Sequence, residues 1–92
     1  MANNYCYEEK KVNKDTWGIH YLRLDKGIVK ITCELMRPNR KFWQSKTMYS
    51  DWTVCDLNNV NIIRSLAYDV IAKYYDRQRQ IKKLDDFFKN NY

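Results

Sequence analysis

The chain has 92 residues, 17 Lys and Arg against 11 Asp and Glu, and a formal net charge of +6. That length supports one small domain (residues 1–92) around one apolar core and excludes a second. Hydrophobic residues at 45%, with three Trp and eight Tyr, exclude a disordered tail, and the positive balance excludes an acidic mimic of DNA.

Residues 1–15 are polar and alternate poorly, so YCYEEKKV reads as an edge strand or an N-terminal arm. The opening MANNYCYEEKK has no apolar run. No segment approaches the roughly 20 apolar residues of a membrane span, so the expectation is a cytoplasmic protein without a membrane partner.

From Thr16 the chain turns β-like. TWGIHYLRL and IVKITCELM are rich in β-branched and aromatic residues and flank DKG, which predicts a hairpin. A three-residue Asp25-Lys26-Gly27 loop, with Gly27 left-handed, sets Leu24 opposite Ile28. Strand alternation then puts Trp17, Ile19, Tyr21, Val29, Ile31, Cys33 and Leu35 on a core face. His20, Leu22, Leu24, Ile28, Lys30, Thr32 and Glu34 share the other, which is too apolar at the loop end for plain exposure. After RPNRK, FWQSKTMYSDWTV predicts a third strand, or two short ones bent at Ser50-Asp51. Placing Trp43, Ser45, Thr47 and Tyr49 inside keeps Lys46 out of the core. Residues 16–55 are thus an antiparallel sheet of three or four strands.

From Asp56 the period becomes helical. Val60, Ile63, Ala67, Val70, Tyr74, Arg77, Ile81, Leu84 and Phe88 recur at alternating spacings of three and four, a heptad-like seam, with Asp56 or Asn58 as the expected N-cap. Ile62, Leu66, Ile71 and Tyr75 widen the stripe in the first half alone, as for a helix that lies on a sheet there and then leaves it. The fold class is therefore α+β: a small antiparallel sheet followed by one long C-terminal helical segment (56–92), either straight or kinked near Asp76 to Gln80. A sheet too short to cover Ile81, Leu84 and Phe88 leaves them for a second copy, so a homodimer is expected there.

Chemistry-bearing residues are sparse. Cys6, Cys33 and Cys55 lack the paired spacing of a zinc site or disulfide framework and read as reduced structural thiols. His20 faces Thr32 on the preferred register, and only a one-residue slip would set it against Cys33 as a dyad. Asp85 and Asp86 point about 100° apart on the helix among lysines, as a solvated face does. With no phosphate loop, metal-ligand spacing or nucleophile elbow, the chain reads as a non-enzyme with no catalytic residues, cofactor, metal or small-molecule substrate.

What remains is a basic, aromatic surface. Fourteen aromatics exceed the needs of so small a core, and Lys30, Arg37, Arg40, Lys41, Phe42 and Lys46 combine groups that stack bases with groups that neutralise phosphates. Lysines and arginines on a sheet rim also discourage edge-to-edge aggregation without any ligand. In outline, a sheet followed by one helix resembles the single-stranded-DNA-binding transcriptional coactivator and whirly-type proteins, with RLDKGIVKITCELM similar to their central hairpin in spacing. The resemblance implies helix-mediated homodimers that bind strands on sheets. Few glycines and prolines with abundant Lys, Asn, Ile, Tyr and Asp follow the bias of AT-rich genomes, common in phages and mobile elements. The expected function is a small, non-catalytic interaction protein of that type, anti-CRISPR-like or otherwise anti-defence, which binds and inhibits a host nucleoprotein or nucleic acid in the host cytoplasm. The alternative is a homodimeric single-strand-binding protein.

Overall fold

The computed structural model describes residues 4–25, 27–56 and 59–90. Strands β1 (Tyr5–Val12), β2 (Asp15–Asp25), β3 (Ile28–Met36) and β4 (Thr47–Asp56) pair antiparallel in chain order, and helix α1 (Val60–Asn90) follows them. This is the α+β architecture expected from the sequence, with four strands.

β1 is an edge strand paired along its whole length, from Tyr5 opposite Leu22 to Val12 opposite Asp15. Its two-residue turn holds Asn13 at φ 51° and Lys14 at φ 72°, a primed turn whose twist matches that of the strands it joins. Asn tolerates this conformation, whereas a lysine Cβ crowds the backbone. Lys14→Gly is accordingly expected to raise stability by about 1 kcal/mol, read as a higher urea midpoint at unchanged slope.

The central hairpin keeps the expected register from Trp17 opposite Leu35 to Arg23 opposite Val29, and shifts only at its tip, where Asp25 rather than Leu24 meets Ile28. No glycine among the described residues has a positive φ, so the left-handed Gly27 is not observed, and Lys26 lies outside the described residues. β4 is one strand without a bend at Ser50-Asp51. The pairing moves from Leu35–Tyr49 to Met36–Thr47, which leaves Met48 as an extra residue. Such a bulge reverses the alternation. Tyr49 faces the helix as expected, but Thr47 turns to the opposite face, where its hydroxyl donates to Glu34 (2.9 Å). Trp43 and Ser45 belong to the 37–46 loop, and Trp43 is exposed rather than inside.

The helix covers one sheet face. Trp17, Ile19, Val29, Ile31, Cys33, Leu35 and Cys55 are buried against Ala67, Val70 and Ile71, with Tyr21, Tyr49, Ile63, Leu66, Tyr74 and Tyr75 packed around them. The predicted core face of the hairpin is therefore the observed one. Asn59 caps the helix: its Oδ1 accepts the Ile62 N–H (3.0 Å), the N-cap geometry. Of the expected caps, Asp56 ends β4 and Asn58 lies outside the described residues.

Helix α1 is continuous over 31 residues, about 46 Å at 1.5 Å per residue. Val60 and Ile63 lie near Arg23 and Val29 at the β2–β3 tip. Tyr75 reaches Val12 and Asp15 at the opposite end. Everything from Asp76 to Asn90 is exposed, projecting past the end of the sheet that carries the β1–β2 turn and the 37–46 loop. The radius of gyration is 16.3 Å, against about 12 Å for a compact domain of this length.

Candidate nucleic-acid interface

The face turned away from the helix is built by registration across all four strands. One row runs Tyr7, His20, Thr32, Trp52 and the next runs Tyr5, Leu22, Lys30, Val54. About 14 Å separates β1 from β4 at the usual strand spacing, so aromatics line both margins, with His20, Thr32, Leu22 and Lys30 between them. Trp52 is 57% exposed, and Tyr5, Tyr7, Leu22 and Val54 are also exposed.

Local contacts position several of these groups. The Tyr7 ring crosses Gly18, where a Cβ would come within 2.7 Å of the Tyr7 hydroxyl and 3.1 Å of a ring carbon, so the glycine is what lets the ring lie across β2. The Tyr7 hydroxyl donates to Glu9 (3.0 Å), and burial together with that carboxylate raises its pKa. The rings of Tyr7 and His20 are 4.8 Å apart. The Tyr5 hydroxyl is hydrogen-bonded to His20 Nδ1, while His20 Nε2 lies 2.9 Å from Glu34 Oε1 yet has no aligned hydrogen bond. That approach lies off the N–H direction, and it continues a line of polar groups from Tyr5 through His20 and Glu34 to Thr47. Lys30 holds its ammonium 4.8 Å over the Trp52 ring, a cation–π contact that leaves the charge on the open face.

The predicted binding set divides in two. Lys30 belongs to this face. Arg37, Arg40, Lys41, Phe42 and Lys46 sit in the 37–46 loop, which begins seven residues further along β3, about 23 Å at strand rise. The two arginines serve the loop itself, Arg37 Nε donating to the Ser45 carbonyl (2.9 Å) and Arg40 Nη1 to that of Gln44 (3.4 Å). Phe42 is 92% exposed, packs edge-on against Trp43, and has Lys41 nearby with its ammonium 5.3 Å from the Trp43 ring. Tyr5, Tyr7 and Trp52 are additions that the open face makes to the candidate set expected from the sequence. Alternation in YCYEEKKV would have found the first two, given that β1 is a strand, and the face of Trp52 followed only from the phase of β4.

The covered face offers an open cleft of about 270 Å³ between β1, β2 and the start of α1, lined by residues including Cys6, Glu8, Tyr21, Arg23 and Arg64. Glu8 pairs with Arg64 (2.7 Å) and accepts from the Tyr21 hydroxyl (3.1 Å). Burial opposes ionisation of Glu8, but Arg64 and Tyr21 outweigh it and hold the carboxyl below the usual range. Burial and the same carboxylate push the Tyr21 hydroxyl well above its usual value. These groups satisfy one another.

Cys33 and His20 lie on opposite faces of the sheet, so no dyad forms. Cys33 is fully buried, with Sγ 3.6 Å from the Ala67 carbonyl. Burial, reinforced by Asp51, pushes its thiol up to about 11, where the reactive thiolate is scarce at neutral pH. Among the described residues no cluster of His, Cys, Asp and Glu could hold a metal ion, and no helix is long and apolar enough to cross a membrane.

No protein-family model, curated protein or solved structure matches the chain.

Proposed function

We propose that the chain is a non-catalytic interaction protein that engages a host nucleoprotein by taking its single-stranded nucleic acid on the open sheet face, as a phage or mobile-element inhibitor of such a complex does. The observation that carries this reading is the uncovered face itself, with Tyr5, Tyr7 and Trp52 presented at its margins and Lys30 beside Trp52. Rings on a sheet provide stacking platforms for unpaired bases, worth about 1–3 kcal/mol per base, and a neighbouring cation neutralises phosphate. A net charge of +6 favours an anionic partner at long range.

Capture from a bacterial lysate, with and without nuclease, tests the reading, with bare single-stranded oligonucleotides titrated in parallel. The expected result is a nuclease-sensitive complex, lost in the Tyr5→Ala/Tyr7→Ala/Trp52→Ala variant, with weaker binding to bare strands. Lys30→Ala is expected to lower the salt slope of oligonucleotide binding by about one charge. A nuclease-insensitive complex together with no binding to oligonucleotides at low salt would remove nucleic acid from the proposal. Tight, steeply salt-dependent binding to bare strands without any protein partner would favour the alternative, a single-strand-binding protein acting alone.

A further inference from the structure

We infer that two copies of this chain pair antiparallel through the projecting segment Asp76–Asn90, with Ile81 of each copy against Leu84 of the other. Ile81, Leu84 and Phe88 are exposed, Leu84 and Phe88 by more than half. At 100° per residue they fall within about 60° of the direction in which Ile63 and Val70 face the sheet. One edge of the stripe buried over the strands, that of Leu66, Ile63 and Val70, thus continues past them. A second helix fits there, occupying the layer of the sheet beyond its end.

The sequence of the seam selects the orientation. An antiparallel pair centred between Lys82 and Lys83 matches Ile81 with Leu84 and Arg77 with Phe88, twice by symmetry. Arg77 is the charged residue of the seam, and this register sets it over a Phe88 ring and within one turn of Asp85 of the second copy. A parallel pair would instead set Arg77 against Arg77 and bury like charges. Length agrees as well. Each projecting segment spans 15 residues, about 22 Å, so either copy covers the whole of the other and its C-terminal turn reaches the end of the partner's sheet, where Phe42 and Trp43 stand exposed. A helix pair of this length covers roughly 1,000 Å², near the lower bound for a specific interface, so the dimer is expected to dissociate on dilution. The stripe faces the sheet side in both copies, which points the two open sheet faces in opposite directions.

Light scattering and sedimentation over a concentration series test the pairing. Wild type is expected to approach twice the 11.3 kDa chain mass at high concentration. Leu84→Glu should weaken association roughly 100-fold or more, because each copy would bury an unpaired carboxylate, with its circular dichroism retained because position 84 is exposed in the single chain. Arg77→Asp and Asp85→Arg should each weaken it about tenfold, and the double exchange should restore it. A wild type that stays monomeric at millimolar concentration would overturn the dimer. Association that survives Leu84→Glu, or a double exchange that fails to rescue, would overturn this interface and its register.

Discussion

Trp17→Ala is expected to cost about 3–5 kcal/mol, the range for truncating a buried aromatic, which is a large part of the stability of a domain this small. Trp17 is fully buried and meets Tyr49, Tyr74 and Tyr75 edge-on, at 6.4, 5.4 and 6.1 Å between ring centroids. Its indole N–H donates to the Tyr75 hydroxyl (2.9 Å), which lies 2.7 Å from an Asp15 carboxylate oxygen and donates to it. This cluster fastens the helix where it leaves the sheet. Trp17→Phe keeps most of the ring volume and removes the N–H, and is expected to cost about 1 kcal/mol for the lost hydrogen bond with a further increment for the smaller ring. Urea denaturation followed by far-ultraviolet circular dichroism separates the two variants. Equal midpoints for Trp17→Ala and wild type would mean that the aromatic cluster does not anchor α1.

The second large effect is at the centre of the sheet. Ile31→Ala is expected to destabilise by about 2–4 kcal/mol, while Thr32→Ala, one residue on, changes little. Ile31 is fully buried beneath α1, and Thr32 lies between His20 and Trp52 on the uncovered face. Similar urea midpoints for the two variants would reverse the assignment of faces on which the candidate site depends.

The central hairpin was legible because three independent signals agree on it: β-branched composition, the DKG turn and the two-residue period. The helix was legible from its period, including the narrowing of the apolar stripe past Tyr75 where the sheet ends. Other features were hidden for identifiable reasons. The β1–β2 turn uses Asn13-Lys14, which lacks the glycine that marks a primed turn, so the edge strand could not be told from an arm. The bulge at Met48 reverses the alternation within one strand, so a phase read from Trp43 and Ser45 holds from Tyr49 onward but puts Thr47 on the wrong face. On the open face, the place of Lys30 follows from the hairpin register and that of Trp52 from the phase set by Tyr49, whereas Tyr5 and Tyr7 depend on β1 being a strand; the distance between Lys30 and the basic 37–46 loop follows only from the length of β3.

The pairing of strands in chain order has a consequence for how the protein is made. Each strand meets its neighbour across a connection of at most ten residues, and the low loop-closure entropy of such contacts lets them form quickly. The sheet can therefore zip up hairpin by hairpin as the chain is synthesised, without waiting for a distant segment. Its inner face, however, is closed by helix α1, through Ala67, Val70 and Ile71 with Ile63, Leu66, Tyr74 and Tyr75 around them, and these follow all four strands in the chain. Until the helix has been synthesised as far as Tyr75, the nascent sheet shows water an apolar surface on both sides, and that interval is when this chain is most exposed to aggregation.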